Sequence, residues 1–268
     1  MSSKISRSGA GNRLMSVCGA AMVFAITMNC SLAMGQDGIS GDVQQAVLVE
    51  LFTSEGCSSC PPADDNLTRL HGLAEENGYP IHTLSYHVDY WDYLGWKDRF
   101  SSAAATKRQR RYSAAFGLNR IYTPQFVVNG QWEFVGSNRT QTRAAVLKAM
   151  DELVPAKIEG TAKAAGNKVD VKLTTAGLSQ GDRLVVALAL KSAESKVTRG
   201  ENARRTLHHV HVVRDFKEVI ATSSVTASFE KPADFKEADY HVLAYAQSAE
   251  TLKLLGIQEV EIKSTDGT

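Results

Sequence analysis

Val47-Leu48-Val49-Glu50-Leu51-Phe52-Thr53-Ser54-Glu55-Gly56-Cys57-Ser58-Ser59-Cys60-Pro61-Pro62 is the stretch on which the reading of this chain turns. Apart from Glu50, its first six residues are apolar and partly β-branched, the pattern of a strand buried on both faces. Residues 53–56 break that pattern. Two prolines then follow Cys60, where a helix tolerates them because its first N–H groups have no partner within the helix. Asp64 and Asp65 suit a first helical turn, and Leu67, Leu70 and Leu73 continue at helical spacing to a stop at Asn77-Gly78. A C-x-x-C pair therefore falls at a strand-to-helix junction.

Working outward, residues 81–88 read as a second strand. Residues 89–118 read as an aromatic loop holding Trp91, Tyr93 and Trp96, then a helix that ends at Gly117. Two extended runs around Asn129-Gly130 predict a hairpin, since that dipeptide suits a tight two-residue turn. Ser137 or Asn138 can cap a last helix whose apolar positions are Ala144, Val146, Leu147 and Met150. After Val154-Pro155 apolar and polar residues alternate at 169–173, 184–190, 207–213 and 240–246, which predicts an all-β, sandwich-like region.

The 268 residues are 43% hydrophobic and 22% charged with a net charge of +1, which is globular composition without the charge imbalance that nucleic-acid or anionic-membrane binding calls for. Residues 1–35 read as a cleavable signal: Lys4, Arg7 and Arg13 precede an apolar run over 14–28 and small-residue cleavage sites ending at Ala33 or Gly35. An uncleaved anchor is the alternative and would be the chain's only membrane contact. Residues 36–45 form a polar leader. Cleavage removes Cys18 and Cys30 and leaves Cys57 and Cys60 out of four cysteines. A bridge across two intervening residues removes little unfolded-state entropy, so redox exchange explains the pair better than a structural staple. A metal-binding pair is the other alternative.

The order strand, C-x-x-C, helix, strand, helical insertion, Thr123-Pro124, hairpin, helix resembles the thioredoxin superfamily. The resemblance is carried by residues 47–52, by Cys57-Ser58-Ser59-Cys60, and by Tyr122-Thr123-Pro124-Gln125-Phe126-Val127-Val128. More narrowly, residues 50–62, His87-Val88-Asp89-Tyr90-Trp91 and Arg199-Gly200-Glu201-Asn202 resemble DUF1223, an exported family of unknown function with a thioredoxin-like fold. The resemblance implies an α/β thioredoxin-like domain over 46–154 with a helical insertion; the alternation that begins after Val154-Pro155 predicts a separate β-rich domain over 156–268. The resemblance implies too that the Thr123-Pro124 bond is cis and lies beside the cysteines, with the Thr123 backbone free to pair with a substrate strand. Trans would otherwise be the default. Ser-Ser stands where thioredoxin has Gly-Pro, and no tryptophan precedes Cys57, so the potential and partners of thioredoxin do not carry over.

A thiolate is the attacking species in disulfide exchange, and a helix N-terminus stabilises it. Cys57 is thus the expected exposed nucleophile, and buried Cys60 the resolving thiol. The candidate catalytic set is Cys57, Cys60, Thr123, Pro124 and Glu50. Glu50 is either a buried acceptor of the Cys60 proton or a carboxylate at a strand end in water. No cofactor is called for. A two-thiolate, one-imidazole copper or zinc site of Cys57, Cys60 and His87 is the alternative use of the cysteines. His208, His209 and His211 read as sheet surface, and residues 107–111, with three further basic side chains beside Arg108, as a solvated helix face. Trp91, Tyr93 and Trp96 line a substrate groove or cover the insertion's own core. The function expected is exported thiol–disulfide oxidoreduction on protein or small thiol substrates, with an unknown redox partner. The alternatives are a periplasmic metal-handling protein and a binding protein whose cysteines form a structural disulfide.

Overall fold

The computed structural model describes residues 44–264. The expected signal segment and most of the leader lie outside the described residues. In chain order the elements are β1 (Gln44–Gln45), β2 (Val47–Thr53), α1 (Pro61–Asn77), β3 (Ile81–His87), α2 (Ala103–Ala115), β4 (Gln125–Val128), β5 (Trp132–Val135), α3 (Arg139–Met150) and β6 (Leu153–Val154). Then follow β7 (Lys157–Ala165), β8 (Lys168–Ala176), β9 (Arg183–Lys196), β10 (Thr206–Ile220), β11 (Ser224–Glu230), β12 (Tyr240–Gln247) and β13 (Leu254–Ser264).

The helices start and stop where local chemistry dictates. Pro61 opens α1, and Gly78 closes it in the left-handed region at φ 65°, its N–H reaching the Ala74 carbonyl. Ser102 Oγ caps α2 by accepting the Ala105 N–H, and Asn138 Oδ1 caps α3 by accepting that of Gln141. Strands β2 and β3 pair in parallel, and β4 and β5 add antiparallel on the far side of β2. One face of β2 packs Val47, Val49 and Leu51 against Leu67, Leu70 and Ala74 of α1 and Ala145, Val146 and Ala149 of α3. The other packs Leu48 and Phe52 with Leu84, Tyr86 and Tyr112, the last from α2.

The expected boundary near residue 155 does not separate two domains. One mixed sheet of eleven strands runs in the order β11-β8-β7-β13-β12-β9-β10-β3-β2-β4-β5. The join is β10 beside β3, parallel, with Val212 opposite Ser85. β13 links the layers of the second half: it pairs antiparallel with β12 and, at its end, parallel with β7. The apolar faces of β7 and β8 thereby meet those of β9 and β12 in one core. Alternation in the sequence reports which faces are buried but not which edge a strand seeks, so the shared sheet was not legible.

Two further contacts fasten the halves. The core on the α2 side of β2 includes Val185, Ala187, Ala189, Leu243, Tyr245, Leu254 and Ile257 from the second half. The Asn129-Gly130 turn docks on the loop before β13. Its Asn129 carbonyl accepts the Leu254 N–H at 2.9 Å. At Gly130, φ is 66° and a Cβ would stand 1.9 Å from the Leu252 carbonyl oxygen, so only glycine fits.

A chain ended at residue 155 is therefore expected to lose its fold. Each large apolar side chain uncovered costs ~1.5–3 kcal/mol, and several together exceed the ~5–15 kcal/mol that holds a typical domain. Thermal unfolding by circular dichroism should show no cooperative transition; a sharp one would mean that the first half stands alone.

Candidate functional site

Cys60 is the N-cap residue of α1, and Cys57 lies in the tight turn before it, its N–H bonded to the Ser54 carbonyl at 3.1 Å. Both are free thiols. The Thr123–Pro124 peptide is cis, and Thr123 comes to the cysteines: its hydroxyl donates to Cys57 Sγ at 3.3 Å while accepting the Trp91 indole N–H at 2.7 Å. Ser59 Oγ lies 3.3 Å from the same sulfur. A hydroxyl polarised by one donor donates better to the next acceptor, so Trp91, Thr123 and Cys57 form a directed chain.

These contacts divide the thiols. A hydrogen bond from Cys60 is the largest influence on Cys57; with those of Ser59 and Thr123 it outweighs burial and brings the thiol down to about 6. Burial, then the proximity of Cys57 and Asp64, pushes Cys60 well above the ordinary thiol range. The expectation that Cys57 stands in solvent needs correction: it is 2% exposed. Trp91 lies over the loop close enough that a Cβ on Gly56 would meet it at 3.1 Å. Trp96 donates to Glu55 Oε2 at 2.7 Å. Both tryptophans thus serve the thiol loop rather than a core of their own.

Glu50 is buried, but it does not reach Cys60. Alternation along β2 puts it on the α2 face with Leu48 and Phe52, whereas Cys60 opens α1 on the opposite face. There Arg108 Nε meets Glu50 Oε1 at 2.7 Å, the Tyr112 hydroxyl bonds Oε2, and the Tyr245 hydroxyl bonds Oε1 at 3.1 Å. Arg108 also donates to Gln247 Oε1 at 2.9 Å, so the run at 107–111 is not simply a solvated face: Arg108 and Gln109 are buried. The signal for this was present, an acidic residue in an apolar strand and an arginine inside a helix, but nothing in sequence pairs residues 58 positions apart.

His87 does not join the cysteines either. It is buried with Nδ1 2.6 Å from Asp98 Oδ2. Among the described residues no three or more His, Cys, Asp and Glu side chains are arranged to hold a metal ion. His209 and His211 are buried, not on the sheet surface; His208 alone of the three is exposed. His211 sits between the rings of His71 and His241, where burial and then those neighbours depress it to about 3.

Sequence reading missed a buried charged cluster behind the cysteines. His209 of β10 places Nδ1 3.3 Å from Asp64 Oδ1 and Nε2 3.6 Å from Glu55 Oε1. Burial disfavours its charged form, but the two carboxylates outweigh that and hold it at about 10. Asp64 accepts the Thr53 hydroxyl at 3.1 Å, and Asp98 accepts the Glu55 N–H at 2.9 Å. From the second half, Asn202 donates to the carbonyls of Glu55 and Cys57, and Glu201 accepts the Ser58 N–H at 2.9 Å.

The fold and site define a mixed-sheet protein with two unlike thiols at a helix start, backed by buried charge from both halves. The chain belongs to the family "Protein of unknown function (DUF1223)", whose model matches residues 48–247. A crystallographic structure of a protein from Agrobacterium tumefaciens is 28% identical, aligned over 81% of this chain and 95% of that one with a TM-score of 0.60. A domain of the outer membrane lipoprotein Omp28 from Porphyromonas gingivalis is 14% identical over 41% of this chain and 90% of its own, with a TM-score of 0.26, too slight to carry an argument. No match was found among curated proteins.

His209→Gln is expected to destabilise the protein by ~3–5 kcal/mol at pH 7, because it leaves two carboxylates buried without their cation. The imidazolium contribution is complete below the unfolded value of about 6.5 and is lost as pH rises through about 10. The stability gap between wild type and variant, read by urea unfolding, should therefore narrow from pH 7 to pH 10. A gap that widens would contradict the charge assignment.

Proposed function

We propose that this chain is an exported thiol–disulfide oxidoreductase working through Cys57 and Cys60, on a thioredoxin-like core over residues 46–154. The observation that carries the reading is the unlike pair of thiols, Cys57 at about 6 and Cys60 raised and buried, beside a proline loop that supplies a donor to the reactive sulfur. The element order β2-α1-β3-α2-β4-β5-α3 and the strand order β3-β2-β4-β5 favour the thioredoxin-like assignment. The charged, apolar, small-residue order of residues 1–35 favours export.

The chemistry runs in two exchanges. Cys57 thiolate attacks one sulfur of a substrate disulfide, forming a mixed disulfide and releasing the other sulfur as a thiolate. Cys60 then loses its proton and attacks the Cys57 sulfur, closing the Cys57–Cys60 bond and releasing the second substrate thiolate. Two electrons pass from the dithiol to the substrate; the reverse sequence oxidises a substrate dithiol. Glu50 lies on the other face of β2, whereas the charge of Asp64, one helical turn along α1, acts on Cys60, so the proton of Cys60 goes to Asp64. Substrates are protein or small-molecule thiols and disulfides.

Cys60→Ser is expected to accumulate mixed disulfides with exported proteins, visible on non-reducing gels, and Cys57→Ser to accumulate far fewer. Equal trapping by the two would contradict the nucleophile assignment. In Asp64→Asn the mixed disulfide with a model disulfide should outlast that of wild type in rapid-quench measurements. Release as fast as in wild type would remove Asp64 from the proton path.

A further inference from the structure

The residues that touch the thiol loop do not all come from the half that bears it. A strap after β9, carrying Gly200, Glu201 and Asn202, lies against it. Asn202 is fully buried. Its Nδ2 donates to the Glu55 and Cys57 carbonyls at 2.9 Å each, and its Oδ1 accepts from Arg205 Nη1 at 3.0 Å. Two carbonyls on one side and a guanidinium on the other fix the orientation of the amide, because only NH₂ can face the first pair and only oxygen the second. Both amide hydrogens are used, and they grip the backbone at Cys57 itself and two residues before it.

The strap is itself held. Gly200 has φ 72°, and a Cβ there would stand 3.1 Å from the Leu94 carbonyl and from Trp96 Cβ. The aromatic loop and the strap are thus packed on each other, and Trp96 reaches on to Glu55. Glu201 takes the next N–H, that of Ser58. The loop from Glu55 to Ser58 is gripped on carbonyls and amide alike by one short segment more than 140 positions away.

We propose that Asn202 is a positioning residue for Cys57: its amide clamps the turn before α1 so that the Cys57 sulfur meets the Thr123 and Ser59 hydroxyls. The inference rests on the thiol-exchange reading above. Those hydroxyls sit at 3.3 Å, within hydrogen-bond reach of sulfur, and the position of the turn sets the distance from Thr123. The titratable groups around the sulfur are Cys60, Tyr90 and, on the neighbouring N–H, Glu201. Asn202→Ala alters none of them and changes no charge, so in that variant the readout is geometric.

The test is the pH dependence of Cys57 alkylation by iodoacetamide in the full chain. Wild type, Asn202→Ala, Asn202→Asp and Arg205→Ala are compared, with thermal unfolding alongside. Asn202→Ala removes both donors. Asn202→Asp keeps the shape but sets a carboxylate against two carbonyls. Arg205→Ala frees the amide oxygen at a more exposed position and, with Arg205→Lys beside it to keep the charge, reads the clamp should neither Asn202 variant fold. The alkylation midpoint is expected to rise by about one pH unit in Asn202→Ala, a tenfold loss of thiolate between the midpoints. It should rise further in Asn202→Asp, where the added carboxylate also opposes the thiolate, and less, in the same direction, in Arg205→Ala and Arg205→Lys. A low wild-type midpoint that stays unchanged in every folded variant overturns the role of Asn202 alone. A wild-type midpoint in the ordinary thiol range, ~8.5, overturns the thiol-exchange reading beneath it.

Discussion

Strand β10 lies beside β3, and the character of the thiol site follows from that pairing. A parallel neighbour needs a long connection, and here it runs over residues 88–205, through the rest of the first half and strands β7, β8 and β9, before the chain comes back beside β3. The return places His209 behind α1, facing Asp64 and Glu55, and brings the strap with Asn202 over the turn that holds Cys57. Without the pairing, two carboxylates would be buried without a cation and the carbonyls of the thiol loop without donors.

The same joint explains why so much charge is tolerated inside the molecule. An isolated buried carboxylate is expensive, and the cost falls only when a partner is held in good geometry. Glu50 is matched by Arg108 and two tyrosine hydroxyls, and the Glu55–His209–Asp64 row alternates sign. The two clusters occupy opposite faces of β2. One fixes α2 and β12 to the sheet; the other lies under the cysteines, where the Asp64 charge helps keep Cys60 protonated while hydrogen bonds draw Cys57 toward the thiolate. The unlike behaviour of two thiols three positions apart is thus a property of the assembled sheet and not of the C-x-x-C alone.

Much of the local structure was legible in sequence, because local chemistry decides it. The strand into Cys57, the helix opened by Pro61, the Asn129-Gly130 turn and the period-two strands after residue 156 all stand where their signals put them. What depended on long-range pairing was not legible. Glu50 lies close to Cys60 in sequence, yet strand alternation turns it to the other face. His209 read as surface because alternation cannot say that a helix will cover that face, and Cys57 read as exposed because Trp91 and the strap belong to segments whose place no periodicity reveals. Arg199-Gly200-Glu201-Asn202 carries part of the family resemblance, but its position over the cysteines appears only in three dimensions.

The central claim is that the fold makes Cys57 a thiolate near neutral pH while Cys60 stays protonated. The direct measurement is the ultraviolet thiolate absorbance of the reduced protein across pH 4 to 10, with Cys57→Ser and Cys60→Ser as references. The account predicts one thiolate appearing with a midpoint near 6, absent from Cys57→Ser, and the second thiol silent until well above the ordinary range. Two thiols titrating together near ~8.5 would contradict it.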